Sequence, residues 1–215
     1  ETFTIGHPAL GTTFVICFGY IAFARMVSGM GTTIFAAHSI AITAEQIVYI
    51  PGYGLRVATS TLVGNALGEK DIRKLKATER VSILITLLIM VVNGIGLYLF
   101  AYPFMRLFTN SVNAARIGSE VLRLVSFSEP FFGLMIVLEG ISYGMGRTKH
   151  VFACEAVSMW GIRIFGTFLC VNVFGLGLNA VWLCMIADNI CKAILLYIFR
   201  PKHVEENADD RGELR

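Results

Sequence analysis

Charge is scarce in this chain. Only 15% of its 215 residues are Asp, Glu, Lys or Arg, against about 25% in ordinary soluble domains. With 55% hydrophobic residues and a mean hydropathy of +0.68, so few charges cannot cover a water-facing surface, and the composition is that of a membrane protein. The five cysteines (Cys17, Cys154, Cys170, Cys184 and Cys191) form no Cys-x-x-Cys pair, and all lie in apolar runs. They read as small buried hydrophobes. The four histidines are scattered, so no metal site is expected. There is no P-loop and no nucleophile–base arrangement, and the Gly144-Met145-Gly146 run lacks the strand–turn–helix setting of a nucleotide site. An enzyme is therefore not expected, nor is a nucleic-acid partner at a net charge of only +3. No charged segment with a small-residue cleavage site precedes the first apolar run, which argues against a signal peptide. The chain opens on Glu1 rather than Met, and an upstream region is expected.

What is present is a series of apolar runs. Their lengths predict six membrane helices at about 8–30, 33–66, 81–102, 121–145, 151–174 and 178–199. The stretch 104–120 is expected to be interfacial, with Pro103 stopping the third helix. The charged tail at 201–215 lacks apolar periodicity and is expected to be disordered. Lys and Arg concentrate at 69–80, at 146–150 and in the tail, which alternation of the spans places on one side. The positive-inside rule makes that side cytoplasmic, together with both chain ends. An even number of spans also lets a second, tandem copy enter the membrane in the same orientation.

The second helix stands out. It carries Glu45, Gln46, Tyr49, Pro51, Tyr53 and Arg56 within an otherwise apolar run. Charged groups inside hydrocarbon cost ~2.5–3.5 kcal/mol each on insertion scales, so they face a cavity, a partner or a transport path. Pro51 with Gly52 and Gly54 predicts a break or kink, a feature transporters use to build binding sites. Glu45 finds no basic residue at matching depth. It reads as a coupling or substrate-binding carboxylate, as a hydrogen-bonded structural residue, or as exposed, and the sequence leaves these open. Gln46 is expected to pack across helices. Counting 12 residues from the shared 175–177 turn sets both Arg163 and Asp188 about 18 Å below the outer surface. An ion pair is expected there, serving either as a staple of the last hairpin or in proton coupling. Similar counting puts Arg56 and Glu139 at comparable depths and leaves open whether their helices touch. Trp160 and Trp182 fit either packing or a path for flat cations.

Ala36-Ala37-His38-Ser39-Ile40, Ile50-Pro51-Gly52-Tyr53-Gly54 and Leu62-Val63-Gly64-Asn65-Ala66-Leu67-Gly68 occur in this order. Together they resemble the second helix of a lobe in multidrug and toxic compound extrusion (MATE) transporters. Ser142 to Thr148 is similar to that family's Leu-Arg-Gly-Ala-Gly-Asp-Thr turn at Gly144, Gly146 and Thr148. Gly175-Leu176-Gly177 with Ala180-Val181-Trp182 is similar to the start of its last helix. The resemblance implies an all-α membrane protein, with this chain the C-terminal six-helix lobe of twelve. It further implies efflux of cationic or amphiphilic compounds in exchange for H+ or Na+, with no other cofactor. The expected partners are membrane lipid, the small-molecule substrate and the N-terminal lobe, in a bacterial inner membrane. The alternative is a flippase-type exporter of lipid-linked or polymer precursors. Two positions where some relatives carry an acidic cation ligand are Ile16 and Phe132 here, which shifts weight to Glu45, Glu139 and Asp188.

Overall fold

The computed structural model describes residues 17–199. The start of the first predicted helix (8–16) and the tail (201–215) lie outside the described residues. Helix α1 is Cys17–Ser28, α2 is Thr32–Gly68, α3 is Ile72–Phe108, α4 is Val112–Ser126 and α5 is Glu129–Gly144. The next span runs as α6 (Thr148–Ser158), a π-helical turn (Met159–Ile164), α7 (Phe165–Phe168) and a second π turn (Leu169–Val173); α8, the last, is Leu178–Ile198. Among the described residues every element is helical. Among the described residues four helical runs are long and apolar enough to cross a bilayer, and the bent pair α4–α5 makes a fifth when counted as one span.

Pro103 does not stop the third helix, and α2 and α3, 37 residues each, both continue past the proline they contain. Both prolines lie on an exposed face, where the ring and the missing N–H disturb no helix packed alongside. The break falls in the fourth predicted helix instead, where α4 and α5 meet at 61°. There Ser126 and Ser128 turn their hydroxyls back onto the carbonyls of Arg123 and Val125, and Pro130 sits in the first turn of α5. Proline suits that place, because the first N–H groups of a helix have no intrahelical partner. The polar stretch expected as a loop at 69–80 is mostly the first turns of α3, started by Asp71, whose carboxylate accepts from the Lys74 N–H at 2.9 Å. At ~1.5 Å per residue α3 is longer than the hydrocarbon is thick, so its basic end protrudes. The segment 104–120 divides between the end of α3 and an amphipathic α4, which buries Ala114, Ala115, Gly118, Val121, Leu122 and Val125.

The buried apolar side chains form two clusters. One gathers Phe23, Val27, Leu97, Met105, Leu122 and Trp182. The other gathers Tyr49, Val63, Met90, Phe132, Ile136 and Leu196. The α2–α5 contact is close because α5 presents glycine. A Cβ on Gly140 would lie 2.7 Å from the carbonyl oxygen of Arg56, and one on Gly144 would lie 2.8 Å from Cβ of Val63. Small residues four apart are how membrane helices bring their backbones together. Meanwhile, large apolar side chains such as Leu84, Leu88, Leu99 and Phe100 on α3 are more than 60% exposed, as a lipid-facing surface requires.

Candidate functional site: a charged layer between two apolar clusters

Going along α2, Ala44 belongs to the first cluster and Tyr49 to the second; α5 enters between Val125 and Phe132, and α8 passes from Met185 to Ala193. In the gap between the clusters sit Glu45, Glu129, Arg163, Asp188 and Lys192, each under 10% exposed. The charged groups thus form a layer at mid-depth.

Asp188 is its anchor. Its Oδ2 lies 2.8 Å from Nε of Arg163 and 3.4 Å from Nζ of Lys192, and the Ser158 hydroxyl donates to Oδ1 at 2.5 Å. The ion pair expected from depth counting is therefore present, extended by a second cation one turn along α8. That cation, four residues after Asp188, is a spacing that faces its partner on a helix. Arg163 reaches Asp188 from the first π turn, and its guanidinium lies 5.9 Å from the ring of Phe23.

Arg56 and Glu139 also pair, at 3.0 Å between Nη1 and Oε2, which joins α2 to α5 directly. The guanidinium stacks 5.1 Å from Tyr53 and 5.9 Å from Tyr143. Glu45 accepts a hydrogen bond from the Tyr49 hydroxyl and lies within electrostatic range of Arg163, so a cation does come near it. Depth counting along α2 alone missed this, because Arg163 reaches across from another span. The Tyr49 ring stacks on Phe132 with centroids 3.7 Å apart.

Three candidates do not belong to the layer. Gln46 and Pro51 point to the exposed side of α2 rather than across helices, because they are one residue off the buried 38–41–45–49–52 stripe. Tyr53 is 41% exposed and contributes only at the edge, through Arg56 and Phe132. Of the tryptophans, Trp182 is a packing residue: fully buried, it donates from Nε1 to Nδ1 of His38 at 3.1 Å. Trp182→Phe is expected to lower the thermal midpoint of the purified protein by removing that bond and leaving a buried nitrogen unpaired, a cost of about 1–3 kcal/mol. An unchanged midpoint would show that the bond carries no weight.

Sequence reasoning missed Glu129 and Lys192. The signals were available: Ser128-Glu129-Pro130 has the form of a helix start, in the middle of a run read as one span.

The MatE family model matches residues 8–169. The chain belongs to the MatE family. Among curated MatE relatives it is similar to a probable multidrug resistance protein NorM of Thermotoga maritima, 30% identical over 201 residues, which is 93% of this chain and 43% of that protein. A second relative, a probable multidrug resistance protein NorM of Photorhabdus laumondii, is 28% identical over 92% of this chain and 45% of its own length. In fold the chain is similar to a MOP superfamily transporter from Pyrococcus furiosus, with a TM-score of 0.82 at 20% identity over 93% of this chain and 45% of that one. The Vibrio cholerae MATE transporter VcmN in its bent form gives 0.82 at 16% identity, over 94% and 46%. The chain spans less than half the length of these MatE relatives. It is an all-helical integral membrane lobe of the MatE type.

Proposed function

We propose that this chain is the C-terminal lobe of a secondary active exporter that moves cationic or amphiphilic compounds out of the cell in exchange for H+ or Na+. The observation that carries this reading is the mid-depth layer of buried carboxylates and cations inside otherwise apolar spans. Such groups are costly in a membrane and mark transport paths. The names of the NorM relatives, multidrug resistance proteins, support the same class of substrate. In this reading the second lobe, membrane lipid and the exported compound are the partners, a bacterial inner membrane is the location, and no cofactor beyond the coupling ion is needed. Glu45 takes the coupling role, with Tyr49 orienting it. Arg163–Asp188–Lys192 and Arg56–Glu139 hold the spans in register around it. The alternative, a flippase-type exporter of lipid-linked or polymer precursors, calls for free cations in the cavity, whereas Arg163 and Lys192 both close on Asp188.

The test is efflux of ethidium from cells expressing the full-length protein, under an imposed proton gradient and then a sodium gradient. Parent protein should export under one of them, and Glu45→Gln should lose gradient-driven export while still reaching the membrane. Normal export by that variant would remove Glu45 from the mechanism. No export by the parent under either gradient would transfer the assignment to the flippase class.

A further inference from the structure

The expectation that the cysteines are small buried hydrophobes fits Cys154 alone: Cys17 is exposed, and Cys170, Cys184 and Cys191 are only partly buried. Cys170 and Cys184 come from different spans, both are free thiols, and their sulfurs stand 3.7 Å apart. This is the one thiol–thiol contact among the described residues.

Register brings the two together. On α8, Cys184 stands one turn before Asp188 and shares its face; on the span packed against α8, Cys170 stands about two turns beyond Arg163. The pair therefore continues, toward the 175–177 turn, the seam in which Arg163 meets Asp188 at 2.8 Å. Gly166, one turn before Cys170, opens the space, since a Cβ there would stand 3.2 Å from the Cys184 sulfur. The backbone carrying Cys170 is also held. Its carbonyl accepts from the Leu176 N–H at 2.8 Å, across a turn where Gly175 takes a φ of +61°, which glycine adopts without steric cost.

A thiol is only a weak hydrogen-bond donor and acceptor, and alanine or serine would fill the same space. What two cysteines add at this distance is the capacity to bond covalently. A disulfide needs about 2.05 Å between its sulfurs, and a rotamer change at one cysteine moves its sulfur far enough to close the gap.

We propose that Cys170 and Cys184 form a disulfide site, oxidised by thiol–disulfide exchange with a small-molecule or protein disulfide. The thiolate of one cysteine attacks a sulfur of the external disulfide and expels its other half as a thiolate. The thiolate of the second cysteine then attacks the protein sulfur of that mixed disulfide and expels the remaining half. Two protein thiols thus give up two protons and two electrons, and one external disulfide takes them and leaves as two thiols. Cys170 lies five residues before Gly175 and Cys184 six after Leu178, so both are within about 10 Å of the turn at ~1.5 Å per residue. The basic segments at 146–150 and 201–215 mark the opposite ends of these spans. By the positive-inside rule the pair is near the outer surface, where disulfides form and persist. The bridge joins residues 14 apart, constrains the unfolded chain and fastens the last hairpin on the outer side of the Arg163–Asp188 pair. None of this rests on the exporter reading.

In the experiment, detergent-purified full-length protein is reduced with dithiothreitol, freed of it and incubated with oxidised glutathione. Digestion without reductant and mass spectrometry then read the linkage. The parent should yield a peptide joining Cys170 to Cys184, lighter than its two components by two hydrogen atoms, and dithiothreitol should release both. In Cys184→Ser and Cys170→Ser the remaining thiol should stay free or carry one glutathione, whereas Cys191→Ser should bridge as the parent does. The oxidised parent should melt several degrees above the reduced parent, a difference that Cys184→Ser should lack. Cys170 and Cys184 both free, each capped by glutathione, or joined to other cysteines would overturn the proposal. A bridge formed with no rise in the midpoint would overturn the fastening. The linkage is read on the parent itself, so a variant that fails to fold leaves the test intact.

Discussion

Asp188→Ala is expected to be the most damaging single substitution in the described residues, lowering stability by about 3–5 kcal/mol. The side chain is completely buried, and its removal strands Arg163 and Lys192, both under 10% exposed, with no other ion-pair partner among the described residues. The loss comes chiefly from two uncompensated buried charges rather than from the attraction given up. It follows that Asp188→Asn, which keeps the shape and can still meet Ser158, should recover little. Melting of the purified protein followed by size-exclusion recovery is the measurement. A parent-like midpoint for Asp188→Ala would mean that the cluster does not hold the α6–α8 hairpin together.

Gly140→Ala should cost about 1–3 kcal/mol although it adds a single methyl group. The new carbon would meet backbone, the Arg56 carbonyl at 2.7 Å and its Cα at 3.2 Å, and backbone cannot swing aside as a side chain does. Helices α2 and α5 would have to separate, and the Arg56–Glu139 pair that spans them would lengthen. Gly54→Ala is the matched control. It also lies inside a helix, but nothing stands within 4 Å of its Cβ position, so exchanging glycine for alanine should stabilise it by roughly 0.5–1 kcal/mol. Opposite signs for these two substitutions are expected in thermal melts. A loss at Gly54 equal to that at Gly140 would show that the close approach of α2 and α5 is not what sets the cost.

Much of this architecture could be read from residue order because spans joined by a short turn share a depth scale. Arg163 and Asp188 lie at equal distances from the 175–177 turn, and they meet. Arg56 and Glu139 could be given similar depths but not a contact, since adjacency of α2 and α5 depends on Gly140 and Gly144, whose effect appears only once a neighbour is known. Proline misled in both directions. Pro51 and Pro103 each face outward on a helix that continues past them; Pro130, preceded by Ser128 and Glu129, marks the break. Glu129 is hard to single out for the same reason: a carboxyl inside a continuous span looks like any helix residue, whereas at a helix start it has a direction and an environment.

The buried residues of the last-but-one span run Val151, Cys154, Ser158 and Met159, then Arg163 and Thr167. An unbroken α-helix would continue the stripe from 158 to 162, turning the methyl groups of Ile162 inward and Arg163 aside. The turn at Met159–Ile164 takes in one residue more than an α turn does, and that residue advances everything after it by about 100°. The insertion behaves as a frame shift written in geometry: upstream and downstream halves of the span obey the same rule in different phases, and the guanidinium owes its inward place to the offset. Straightening that turn with every residue kept would present Ile162 to the aspartate, whereas deleting one residue between Ser158 and Arg163 should remove the offset and leave the guanidinium facing Asp188.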